Sequence, residues 1–125
     1  MRRITMSLLG LSLITIAGAG QARAGEAAAG TLEASQIREV VRGHIDEIRY
    51  CYNEGLARDP QAQGRIVLDF TIGSDGAVVR SAVASSDMAD AQVPECMRKV
   101  AATWQFPQPE GGEVMVSYPF VLEPG

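Results

Sequence analysis

His44, Cys51 and Cys96 are the residues of this 125-residue chain whose types could do covalent or metal chemistry. His44 is the sole histidine, with no second His to complete a metal-ligand set. It therefore reads as a structural, hydrogen-bonded side chain rather than a base or ligand. A Cys–His nucleophile pair needs direct hydrogen-bond contact. Seven helical positions separate His44 from Cys51, which sets them two turns, roughly 10 Å, apart. Gly111-Gly112 is loop chemistry, because no lysine or helix start follows it to cradle phosphate. No catalytic residue, metal site or cofactor is expected, and the chain does not read as an enzyme.

The two cysteines mean more as a pair. Residues 1–24 have the pattern of a secretory signal: basic Met1-Arg2-Arg3, an uncharged apolar run from Ile4 to Ala19, and the small-x-small site Ala22-Arg23-Ala24. The apolar run is shorter than the roughly 20 residues of a spanning helix, so cleavage is preferred to an uncleaved membrane anchor. In an exported chain an even pair of cysteines is bridged more often than free. Closing the stretch between Cys51 and Cys96 is worth between ~3 and ~4.7 kcal/mol in the chain-entropy treatment. A domain of this size holds only about 5 to 15 kcal/mol in total. The alternative is two buried, unpaired thiols.

Charge excludes another class. The formal charge is −4, and removing Arg2, Arg3 and Arg23 takes it to −7. Such a chain lacks the basic face that phosphate backbones require, so nucleic acid is not expected as a partner.

The elements that position these residues follow from periodicity. Residues 25–34 are expected to be a flexible leader and residues 35–123 the folded domain. From a cap at Ser35 (Glu33 being the other candidate), Ile37, Val41, His44, Ile48 and Cys51 recur at helical spacing. One amphipathic helix of about five turns is predicted, ending at Asp59-Pro60, with Glu47 among the residues of its polar side. Tyr50 and Tyr52 should point to different sides of it. Ile66, Leu68, Phe70 and Ile72 alternate along a first strand, and Gly73-Ser74-Asp75-Gly76 closes a hairpin. In the second strand Val78 and Val83 are an odd number apart. Either a bulge between them restores phase, or Val79 and Val83 face inward and Val78 outward. A second helix, capped by Asp90 with Pro94 in its first turn, buries Val93, Cys96, Met97, Val100, Ala101 and Trp104. Trp104 and Phe106 read as core residues at the corner that follows.

The last strand, Glu113 to Leu122, contains Pro119, and proline demotes a strand to a sheet edge. The predicted fold is α+β: a three-stranded antiparallel sheet of order 2-1-3 with two helices on one face. The inward stripes of those helices bring Cys51 and Cys96 within reach of a bridge.

These phrases resemble a known family. Gly64-Arg65-Ile66-Val67, Gly73-Ser74-Asp75-Gly76, Ser85-Ser86 and Trp104-Gln105-Phe106-Pro107 are similar to the TonB C-terminal fold. Gln36-Ile37-Arg38, His44-Ile45, Arg49-Tyr50-Cys51-Tyr52, Cys96 and Tyr118-Pro119-Phe120 resemble its AgmX/PglI type, found in myxobacterial gliding-motility and other envelope proteins. The resemblance spans roughly Leu32 to Leu122. It implies a periplasmic, non-enzymatic adaptor domain in envelope transport, motility or assembly. Its partner would be a protein or extended peptide added at the edge strand, with contact to a membrane only through partners or an uncleaved leader. Pro119 limits the pairing-competent stretch to Val114, Met115, Val116, Ser117 and Tyr118. Proline is also a device against edge pairing, so both readings stand. The alternative function is a structural or self-associating subunit of an envelope complex, such as a homodimer.

Overall fold

A computed structural model describes residues 30–125. The expected signal (1–24) and the leader up to residue 29 lie outside the described residues. Gly30 to Glu33, which close the expected leader, are docked: the Gly30 N–H donates to the Glu113 carbonyl (2.8 Å), and Thr31 exchanges backbone bonds with Glu110.

Helix α1 (Ala34–Gly43) starts earlier than the Ser35 cap would allow. Glu33 is its N-cap; the carbonyl accepts the Gln36 and Ile37 N–H groups, and the Gln36 side chain accepts the Glu33 N–H at 3.2 Å. The long helix expected from Ser35 onward is in fact two. Helix α2 (Ile45–Arg58) begins after a break at His44, whose φ/ψ of −110°/13° leaves the helical region. Gly43, weak in helices, ends α1, and the turn frees the His44 ring to pack elsewhere. The helical layer thus holds three helices instead of two.

Strand β1 (Gly64–Ile72) pairs with β2 (Val78–Ser86) on one side and β3 (Val114–Leu122) on the other. Both pairings are antiparallel and the order is β2-β1-β3, the expected 2-1-3 arrangement. The hairpin turn is held by Gly76 at φ 91°. A Cβ there would also meet the Phe106 carbonyl oxygen at 2.1 Å. The Phe106 N–H donates to the Gly76 carbonyl, so the corner after the last helix is latched to the turn.

The expected bulge is present. Thr71 lies opposite Arg80 and Ile72 opposite Val78, leaving Val79 unpaired and exposed, while Val78 and Val83 both pack on the core. A second bulge, unforeseen, sets Ala84 out of register between Val83 and Ser85.

Helix α3 (Gln92–Ala101) crosses the same sheet face, with Pro94 buried in its first turn. The N-cap is Ala91 rather than the expected Asp90. Asp90, one residue earlier, accepts the Gln92 N–H on Oδ1 (2.9 Å), while its Oδ2 accepts Arg58 Nε–H (2.8 Å) from the end of α2. Ile66, Leu68, Phe70 and Ile72 are fully buried beneath the helices with Ile48, Val93, Met97 and Trp104. Each such side chain contributes about 1.5–3 kcal/mol. Cys51 of α2 and Cys96 of α3 form the expected disulfide, with Cα atoms 5.6 Å apart.

Candidate interaction edge

Arg65 reveals which backbone groups face which way. Its N–H donates to Asp87 Oδ1 (2.6 Å) and its carbonyl accepts the Asp87 N–H (3.2 Å), both on the β2 side. A strand residue turns both its backbone groups to one neighbour, and the side alternates. Arg65, Val67, Asp69 and Thr71 therefore serve β2, and Gly64, Ile66, Leu68, Phe70 and Ile72 serve β3.

The unbroken register from Gly64↔Leu122 to Ile72↔Val114 carries this alternation across. Val114, Val116, Tyr118, Phe120 and Leu122 spend their backbone groups on β1. Met115, Ser117, Pro119 and Val121 turn theirs to the open edge. Glu113 follows the same parity, since its carbonyl meets Gly30 there.

Pro119 is thus placed where its missing N–H would have pointed outward, and it removes no bond from the sheet. Of the five residues singled out from sequence, Met115 and Ser117 offer free donors and acceptors, whereas Val114, Val116 and Tyr118 do not. Val121, outside that stretch, offers another donor and acceptor. No described element pairs with this edge between Met115 and Val121.

Behind the edge, on the helix side, a groove of about 380 Å³ separates α2 from the end of β3. Ile45, Ile48, Arg49 and Tyr52 form one wall, and Pro119 to Glu123 form the other. The Tyr52 hydroxyl donates to the Ala62 carbonyl, and burial followed by the charge of Glu123 raises its pKa. Tyr52 is buried and Tyr50 is 63% exposed, the division expected from the helical pattern. The Tyr118 and Phe120 rings lie 5.1 Å apart. On the opposite, helix-free side of the sheet Met115 (53%) and Val121 (64%) are exposed.

The residues with chemical potential are used structurally. His44 stacks on Trp104 with centroids 5.1 Å apart and planes 18° from parallel. His44 Nδ1 and Glu47 Oε2 are 2.9 Å apart, and Glu47 Oε1 accepts the Trp104 indole N–H at 2.9 Å. The bond to His44, then that to Trp104, holds the Glu47 carboxyl below its ordinary range. Glu47, expected on the polar side, instead joins α2 to the corner after α3. A buried indole N–H needs an acceptor, and Glu47 three residues beyond His44 was the available signal. Cys51 is closed in the disulfide and has no free thiolate to offer. Among the described residues no cluster of three or more His, Cys, Asp or Glu side chains could hold a metal ion.

No protein-family model matches the sequence, and no curated protein matches it. Among solved structures, the chain is similar to the NMR structure of the Helicobacter pylori TonB C-terminal domain. That match has 22% identity, covers 71% of this chain and 88% of the other, and has a TM-score of 0.43. A likeness at this level decides neither partner nor function.

Proposed function

We propose that this chain is a non-enzymatic protein-interaction domain that takes up an extended peptide along Met115–Val121. The carrying observation is the row of outward-facing backbone groups at Met115, Ser117 and Val121, which no described element satisfies. Backbone N–H and C=O groups gain most from a partner that offers the same groups at strand spacing. The disulfide fits an oxidising compartment, and with the signal-like N-terminus it supports a periplasmic site of action. Among the described residues no helix is long and apolar enough to cross a membrane. The AgmX/PglI-type phrases support a role in envelope transport, gliding motility or assembly.

Titrating extended segments of candidate envelope proteins against isotope-labelled protein tests the reading. Binding should move the Met115 and Ser117 amide resonances most. Binding that perturbs only the helices or the hairpin turn would reject the edge.

A second reading, a structural or self-associating subunit, is favoured by the exposed Met115 and Val121 side chains on the uncovered sheet face. Concentration-dependent dimerisation abolished by Val121→Lys, without any peptide response, would support it instead.

A further inference from the structure

Among the described residues Thr71 is the one polar side chain that is buried, at 8% exposure. It alternates with Phe70 and Ile72, so it lies on the sheet face that no helix covers. There its partners in register are two long side chains, Arg80 on β2 and Met115 on β3. The hydroxyls of Ser81, Thr103 and Ser117 each donate to a partner. That of Thr71 makes no bond within the described residues. Buried hydroxyls are ordinarily satisfied, and this one lines a cavity of about 70 Å³.

The charges around that cavity are balanced. Asp69 lies opposite Ser117, and its Oδ1 accepts the Ser117 hydroxyl, which leaves Oδ2. Arg80 stands on the diagonal from Asp69, at a ladder spacing of roughly 7–8 Å. Among the described residues neither forms an ion pair. Acceptor-only Asp69 and donor-only Arg80 therefore flank a hydroxyl that can both donate and accept. A lone cation is drawn by Asp69 and repelled by Arg80, and a lone anion the reverse. A group carrying both charges gains from both, through charge-assisted hydrogen bonds. The space admits only a few heavy atoms, since one water occupies about 30 Å³ in the liquid.

We propose that this cavity binds a small zwitterion of the free α-amino acid class. Its ammonium sits on Asp69 Oδ2, its carboxylate on the Arg80 guanidinium, and the Thr71 hydroxyl bonds it from the sheet. The site is built from side chains of the helix-free face and is independent of backbone pairing at the β3 edge.

Glycine, acetate and methylammonium, each titrated into the intact, disulfide-bonded protein, test it. The amide shifts of Asp69, Thr71 and Arg80 are read together with the melting temperature. Glycine should shift those amides saturably and bind at least tenfold more tightly than either single charge. Asp69→Asn should weaken glycine and strengthen acetate, and Arg80→Gln should weaken glycine and strengthen methylammonium. A merely structural role for the two residues would produce neither reciprocal change. Thr71→Val removes the hydroxyl and keeps the shape. It should raise the melting temperature of the free protein, because an unsatisfied buried group is gone, and weaken glycine at least tenfold. A lower melting temperature in that variant would show the hydroxyl already satisfied and overturn the site. Acetate or methylammonium binding as tightly as glycine would overturn the zwitterion. No saturable shift with any of the three would overturn the site, leaving a solvent-filled dimple only.

Discussion

Glu47 accepts the indole N–H of Trp104 across 57 residues of sequence, and its other carboxylate oxygen lies against His44. One side chain thus ties the break between α1 and α2 to the corner that follows α3. Trp104 is fully buried, so Glu47→Ala leaves a buried donor without a partner, at about 1–3 kcal/mol. Chemical denaturation of Glu47→Ala and Glu47→Gln checks this. The Gln variant keeps an acceptor and should lose less.

The same contact predicts a pH effect. The folded pKa of Glu47 is lowered from its ordinary 4.5 by the bonds to His44 and Trp104. A depressed carboxyl contributes stability that is present above the unfolded pKa and is lost as pH falls through the folded one. Stability should therefore fall on acidification from about pH 5 downward, and Glu47→Gln should flatten that slope. A set of melting curves between neutral and acidic pH measures it. An identical slope in the Gln variant would remove Glu47 as the source.

The disulfide should be the largest single local contributor. Cys51→Ala/Cys96→Ala, or reduction of the native protein, should cost about 2–4 kcal/mol, read by urea unfolding with and without reductant. Because Arg58–Asp90 also links these two helices, the reduced protein should keep its fold at moderate temperature.

Gly55 of α2 lies directly against Val93 of α3. A Cβ at that position would come 2.5 Å from Val93 Cγ2, and Val93 is fully buried. Gly55→Ala gains about 1 kcal/mol of helix propensity, yet overpacking costs typically 1–3 kcal/mol. The expected net result is destabilisation. Adding Val93→Ala should recover part of it, as a double-mutant cycle would show.

What could be read from sequence differs from element to element. The β1 face was legible because Ile66, Leu68, Phe70 and Ile72 fill every second position, with Val67 the one apolar residue out of phase. The odd spacing of Val78 and Val83 betrayed the bulge at Val79. The bulge at Ala84 left no such trace, since the small residues around it carry no apolar phase. The break at His44 was hidden because Ile37, Val41, Ile48 and Cys51 keep helical spacing across it, and Gly43 was its sole local sign. That unbroken helix also put Glu47 on the polar side. The edge position of β3 was legible in Pro119. Which of its residues are free was not, because that parity depends on the side to which Arg65 turns its backbone.

That parity gives a sharp substitution. Ser117→Pro removes an outward donor and no backbone bond to β1, as Pro119 already does two residues on. Of the side-chain contacts it loses the exposed bond from Ser117 Oγ to Asp69 Oδ1. Peptide binding should weaken at least tenfold, while stability changes by less than about 1 kcal/mol, proline being tolerated on edge strands. Isothermal titration and melting of the same sample separate the two effects.

Amide hydrogen exchange tests the central claim most directly. In the free protein Val116, Tyr118 and Phe120 should exchange slowly, and Met115, Ser117 and Val121 quickly. On adding the bound peptide, protection should appear at Met115 and Ser117. Binding that leaves those two amides exchanging as fast as before would contradict the account.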